Sequence, residues 1–413
     1  MKTSSPSRSW RAALLALWLA LCVHVYNHCE PLDSYLPPTW IDESTEKHFT
    51  STYYEARALF RERAHAARAT LHTMPLPHLA ELDLSIDAAV IPGTRDRALV
   101  HISGTHGVEG FAGSAIQSAL LERMVNTSTI DAPTLIFIHA LNPYGMAKLR
   151  RFNEHNVDLN RNFMTPEGFQ RRLSQDPNAF GYVDIMNAIN PQNPTLWFAW
   201  LKSWALLIEA SFTYGPGQIK RATVGGNYHF PKTIFYGGME MEPSGKILHH
   251  FLRDQLDFDQ LSVLGVIDVH TGLGPAGYDT LLLDTKGDPQ AVTGIFHDRR
   301  PVASGDSSDG AASGYEGTTG LMCSGFTWLV PTSVNTICLT QEFGTVPGPF
   351  VLNAMIQENA MYHHAPSRRL PYAEKLRDVF YVHRSTQWKS DVVERGAVVW
   401  EELLTHIEDV ESK

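Results

Sequence analysis

His106 and Glu109 stand three residues apart in Gly104-Thr105-His106-Gly107-Val108-Glu109-Gly110, a loop whose glycines let the backbone bend tightly. An imidazole and a carboxylate at that spacing are common by chance. A third ligand from a distant strand would complete a His, Glu, His set, which holds a catalytic zinc ion and leaves a fourth position for water. His270, in Asp268-Val269-His270-Thr271-Gly272, leads as that third ligand, with His139 and His155 as competitors, and one zinc per chain is expected. Asp268 lies two residues before His270, where it either orients a ligand or serves the fold. Asp158-Leu159-Asn160-Arg161-Asn162-Phe163 is a second anchor. Its Arg161 fork and Asn160 amide suit a two-point grip on a substrate carboxylate; alone, they read rather as a surface arginine and a capping asparagine.

These groups follow apolar runs that predict strands. His106 and Glu109 come after Ala98 to Ser103, Asn142 after Thr134 to Ala140, His270 after Leu264 to Val269, and Glu342 after Thr336 to Thr340. In an open α/β sheet, ligands bind outside the carboxyl ends of the strands, so four strands aim polar groups at one rim. Further strands are expected at Ala80 to Ile91 and Thr280 to Leu283. Helices are expected from about Glu46 to Leu71, capped by Asp42 or Ser44, and at Phe111 to Met124, Asp184 to Phe212 and Val392 to His406. The fold class is therefore α/β, a mostly parallel or mixed central sheet flanked by helices. Residues 166–260, punctuated by Gly215-Pro216-Gly217 and Gly237-Gly238, read as an insertion that shapes the site.

The 413 residues are 43% hydrophobic with a net charge of −10, enough for a real core and without the concentrated basic face that nucleic acid requires. Lys2, Arg8 and Arg11 precede an apolar run from Ala12 to Val23, shorter than the roughly 20 residues of a spanning helix. Residues 1–29 thus read as a signal peptide or a signal anchor, and either directs the chain to the secretory route, secreted or held at a membrane by that segment alone. Residues 30–97 would supply an N-terminal helix and the first strand, and 98–413 the rest of the catalytic domain. Of four cysteines, Cys22 would leave with the signal, Cys29 stands at its end, and Cys323 and Cys338 either pair or remain buried thiols. Asn126-Thr127-Ser128 is a glycosylation sequon.

Taken in order, His106-x-x-Glu109, Asn142-Pro143-Tyr144-Gly145, Asp158-x-Asn160-Arg161-Asn162-Phe163, His270 and Glu342-Phe343-Gly344 resemble the motifs of the zinc carboxypeptidase superfamily, which includes the aspartoacylase and succinylglutamate desuccinylase deacylases. The resemblance covers about Leu99 to Gly344. It implies zinc held by His106, Glu109 and His270, Glu342 as general base and acid, and Asn160 with Arg161 on the substrate's terminal carboxylate. It implies an arginine on the scissile carbonyl, which would be Arg151 or its neighbour Arg150, with the count from Asn142-Pro143 favouring Arg151, and a substrate tyrosine, for which Tyr315 is the candidate. The insertion and the Glu-x-Gly after the last strand depart from digestive carboxypeptidases. The implied function is zinc-dependent cleavage of a C-terminal peptide bond. The alternatives are deacylation of N-acyl amino acids, or a scaffold that binds without turnover.

Two other motifs point elsewhere. Gly272-Leu273-Gly274-Pro275-Ala276-Gly277 spells a dinucleotide fingerprint, but a strand rather than a helix is expected to follow it. Gly305-Asp306-Ser307-Ser308 lacks the strand, turn and helix of a nucleophile elbow and reads as a lid.

Overall fold

The central strands carry apolar stretches, such as Leu135 to Ile138 and Ile337 to Leu339, because both faces of the sheet are covered. In the computed structural model, which describes residues 43–125, 131–196, 198–283, 294–297, 302–303 and 318–410, eight strands form one mixed sheet. In chain order they are β1 (Thr70–Pro75), β2 (Ser85–Ile91), β3 (Thr94–Ile102), β4 (Pro133–His139), β5 (Val263–Ala276), β6 (Asp279–Leu283), β7 (Val302–Ala303) and β8 (Asn335–Gly344). Their spatial order is β1-β2-β4-β3-β5-β8-β6-β7. The central four, β4, β3, β5 and β8, are parallel, while β1, β2 and β6 pair antiparallel toward the two edges.

Alternation along these strands divides the core. Leu99, Phe137, Ile267 and Leu339 pack under the helices Gly110–Arg123 and Thr386–Glu408, against Phe111, Ile116, Trp400 and Leu403. Val100, Ile136, Val266 and Cys338 face the other way, onto Leu248 and Leu252 of Pro243–Gln255 and Phe326 of Met322–Leu329. Cys323 and Cys338 form a disulfide that ties this last helix to β8. Among the described residues no helix is long and apolar enough to cross a membrane. The leading segment, Cys22, Cys29 and the Asn126 sequon lie outside the described residues.

Several boundaries differ from expectation for local reasons. The first long helix is Tyr53–Ala66, not Glu46 to Leu71, because Thr52 and Glu55 form a capping box: Glu55 N donates to Thr52 Oγ1 at 3.2 Å and Thr52 N to the Glu55 carboxylate at 3.0 Å. The strand expected from Ala80 begins only at Ser85, after a 3-10 turn over Pro77–Leu82 that ends on Asp83 at φ +47°. The helix expected over Asp184 to Phe212 is two, Tyr182–Ile189 and Ala199–Tyr214, because Pro191 and Pro194 interrupt it. Gly215-Pro216-Gly217 opens a further helix, Pro216–Val224. The Gly272 to Gly277 motif lies on β5 and its turn into β6, without the helix N-terminus a pyrophosphate needs.

Candidate metal centre

Beyond β3 the chain turns at Gly104, φ +71°, where a Cβ would come within 3.0 Å of Ala140 Cα. Gly107 allows a closer approach still, since a Cβ there would lie 2.0 Å from the Gly145 carbonyl carbon. The Gly107 and Val108 amides donate to the Arg151 and Arg150 carbonyls at 3.1 and 3.0 Å, which lays the His106 loop against the segment carrying Arg151. Glu109 occupies the N-cap position of Gly110–Arg123, where the helix dipole favours a carboxylate. His270 comes from β5, in direct register with Glu342 of β8, so both side chains leave the sheet on one side.

The three expected ligands meet. His106 Nδ1 lies 3.0 Å from Glu109 Oε1, and His270 Nδ1 lies 3.0 Å from both Glu109 Oε2 and His106 Nδ1. On their outer sides, His106 Nε2 contacts Asp158 Oδ1 at 2.9 Å and His270 Nε2 contacts Asp268 Oδ2 at 2.6 Å. Ionised carboxylates only accept, so each Nε2 carries a proton and each Nδ1 is left to offer a lone pair. Two such lone pairs facing each other across 3.0 Å need a positive charge beside them.

The electrostatics point the same way. Glu109, Asp158 and Asp268 are all buried, with Arg151 the facing cation. Burial opposes ionisation of Glu109 and Asp158, yet His106 and Arg151 hold both well below the usual carboxylate range. Burial likewise opposes charge on His270, but Asp268 and Glu109 raise it well above an ordinary imidazole. The positive charge demanded is met by a proton on His270 or by a cation in its place. Two nitrogens, one carboxylate and two orienting aspartates fit zinc.

A cavity of about 450 Å³ opens on this centre and is lined by His106, His270, Arg151, Asn160, Arg161 and Glu342. Glu342 Oε1 accepts from Leu273 N at 3.0 Å. Burial, reinforced by the Glu109 charge, pushes Glu342 up to about 7, near the optimum for proton transfer at neutral pH, and a dication among the ligands would draw it down. Arg161 is buried, its Nε donating to Val224 O at 2.7 Å and Nη1 to Asn160 O at 2.5 Å. Among the described residues no salt bridge joins it to a carboxylate, and Asp158 is the buried carboxylate that its charge reaches. Asn160 is fixed by Met322 N, which donates to its Oδ1 at 2.7 Å from the helix that the disulfide anchors.

Arg151 and Arg150 separate sharply. Arg151 Nη1 donates to Glu109 Oε1 at 2.5 Å, beside the ligands, between the Phe235 and Phe380 rings. Arg150 does not reach the cavity. It is fully buried, paired with Glu358 at 3.1 Å, bonded to Asn156 and Asn359, and stacked over Tyr362, so it serves the fold. Asn142 is also structural: its Oδ1 caps the Pro143–Ala147 turn through Gly145 N, and its amide holds Arg151 O at 3.2 Å. His139 is a core residue stacked on Phe60 and bonded to Ser114, and His155 faces Glu242, so neither joins the ligands. Tyr315 and Gly305 to Ser308 lie outside the described residues. Sequence reasoning assigned no part to Asp158, although it opens the Asn160-Arg161 motif. It also missed the apolar wall, where Trp204, Leu207 and Ile219 face Phe235, Leu352 and Met355.

The model of a family described as a protein of unknown function, DUF2817, matches residues 49–395. The chain belongs to the DUF2817 family. No curated protein matches it in sequence. Among solved structures, the DUF2817 chain is similar to bovine thrombin-activatable fibrinolysis inhibitor in complex with tick carboxypeptidase inhibitor, at 11% identity and TM-score 0.41 over 84% of this chain and 99% of that one. It is similar to a candidate metallopeptidase of Shewanella baltica, at 11% identity and TM-score 0.34 over 75% and 90% of the two chains. A candidate succinylglutamate desuccinylase/aspartoacylase of Shewanella frigidimarina is similar at 16% identity and TM-score 0.33, over 72% of each chain.

Proposed function

We propose that this DUF2817 chain is a zinc-dependent hydrolase that cleaves an amide bond close to a free carboxylate, in substrates carrying a bulky apolar group. The observation that carries this reading is the buried Arg161, without a salt bridge to a carboxylate among the described residues, in the cavity that also holds the His106, His270 and Glu342 side chains. Among the described residues Glu342 is the one carboxylate lining that cavity, and with Arg151 already paired to Glu109 and Asp158, Arg161 is the cation that an anionic substrate group would meet.

His106, Glu109 and His270 would hold the ion; when bound, zinc supplies Lewis-acid polarisation of the carbonyl and a water that ionises near neutral pH. Glu342 takes a proton from the attacking water and passes it to the departing nitrogen. Arg161 and Asn160 grip the carboxylate, and Arg151, steadied by Glu109 and Asp158, is the cation available to the carbonyl oxygen as charge develops. Trp204, Leu207 and Ile219 offer an apolar wall to the group beside the reacting bond. The leading substrates are peptides with an apolar C-terminal residue. N-acyl amino acids are the second reading, because the same wall suits an acyl chain. The Cys323 to Cys338 bond favours an oxidising compartment and so supports the secretory route.

The test is Arg161→Ala on paired substrates. With zinc-replete protein, kcat/KM for a free-carboxylate substrate is expected to fall at least about 30-fold, equivalent to about 2 kcal/mol. The amidated analogue, poor for the wild type, should lose much less. Equal losses on both would assign Arg161 to the fold or the reaction centre and sink the carboxylate grip.

A further inference from the structure

A second group of metal-type donors assembles outside the cavity. The 3-10 turn Pro77–Leu82 carries His78, and the loop between Arg151 and Asp158 carries Glu154 and His155. One ligand atom from each lies within 4.8 Å of the other two. His78 Nε2 is 2.7 Å from Glu154 Oε1, and the two imidazoles stack with centroids 5.8 Å apart. His155 Nδ1 contacts Glu242 Oε2 at 2.6 Å, and Asn153 Nδ2 donates to the same oxygen at 2.7 Å. With Nδ1–H committed to a buried carboxylate, His155 offers Nε2 as a lone pair. Asp158 and Asp268 act on His106 and His270 in this way, with the ring nitrogens exchanged.

The loop is also held by its own hydrogen bonds. Asn153 Oδ1 accepts the amides of His155 at 3.0 Å and Val157 at 2.8 Å, and Asn156 is held at φ +62°. The Glu154 side chain is only 7% exposed, whereas that of His155 is 54% exposed, so a sheltered carboxylate sits beside an open imidazole that gives an ion access.

We propose that His78, Glu154 and His155 form a second site, for a zinc-type divalent transition-metal ion, with Glu242 orienting His155. Two imidazoles and one carboxylate suit zinc and its borderline neighbours, whereas calcium and magnesium select oxygen-only sets. An ion there clamps the Arg151 to Asp158 loop, which serves the catalytic centre at both ends, onto the connection between β1 and β2. The competing account is two independent histidine–carboxylate pairs with no affinity for metal.

Full-length protein freed of metal and titrated with Zn²⁺ alone should bind two equivalents by calorimetry and elemental analysis. His78→Ala and His155→Ala should each abolish one equivalent or weaken it at least tenfold, with the other equivalent and the unfolding temperature of the metal-free chain retained. His106→Ala should lose the catalytic equivalent and keep this one, so the two assignments fail separately. A wild type whose only equivalent survives both His78→Ala and His155→Ala, or surface variants that still bind two with unchanged affinity, would overturn the proposal.

Discussion

The Glu342→Gln variant is expected to keep its zinc and its unfolding temperature while kcat falls about 10²- to 10⁴-fold. The substitution preserves the shape of the side chain and an oxygen able to accept from Leu273 N, now 3.0 Å away, so the β5 and β8 frame should not move. What it removes is the proton acceptor. No other carboxylate lines the cavity among the described residues: Glu109 is occupied by the histidines and Arg151, and Asp158 and Asp268 lie behind the ligands. KM should change little, since Glu342 is not asked to bind the carboxylate. Steady-state kinetics with metal analysis on the same sample checks this, and near-normal turnover would assign the base to another group.

The His106→Ala and His270→Ala variants should lose the catalytic zinc and turnover together. Each deletion removes a donor and strands an aspartate: Asp158 loses the ring at 2.9 Å, or Asp268 the ring at 2.6 Å. Only two of the three protein donors that a catalytic zinc site requires would remain. His139→Ala is the contrasting control, because His139 packs on Phe60 in the core and touches no ligand. It should be less stable yet hold the same catalytic metal. Unchanged catalytic metal in both ligand variants would refute the ligand set.

The legible parts of this fold and site share a physical cause. Val263 to Ile267 and Ile136 to Ile138 read as strands because a sheet buried on both faces needs apolar runs, and the polar residues just beyond them mark the rim. Glu342 and His270 were foreseen near strand ends, but not their direct pairing, since register depends on partners far apart in sequence. Counting from Asn142-Pro143 favours Arg151 over Arg150, but which neighbour turns toward the site depends on partners far away in sequence: Arg150 enters the Glu358 pair and Arg151 lies on Glu109. The Trp204 and Leu207 wall escaped notice for a different reason. An apolar helix face that lines a cavity has the same periodicity as one that packs in a core. Thr52 displaced the expected caps because only it has an acidic residue three positions on to close the box.

The central claim is metal-dependent hydrolysis of an amide near a free carboxylate. Its most direct test is turnover by metal-stripped full-length protein as Zn²⁺ is returned, on C-terminal peptides and N-acyl amino acids with bulky apolar groups, each beside its amidated analogue. The account predicts no turnover in the stripped chain, recovery with zinc in both the wild type and the His155→Ala variant, and a strong preference for the free carboxylate. Undiminished turnover in the stripped chain, or a zinc-replete chain that cleaves neither class, would contradict it.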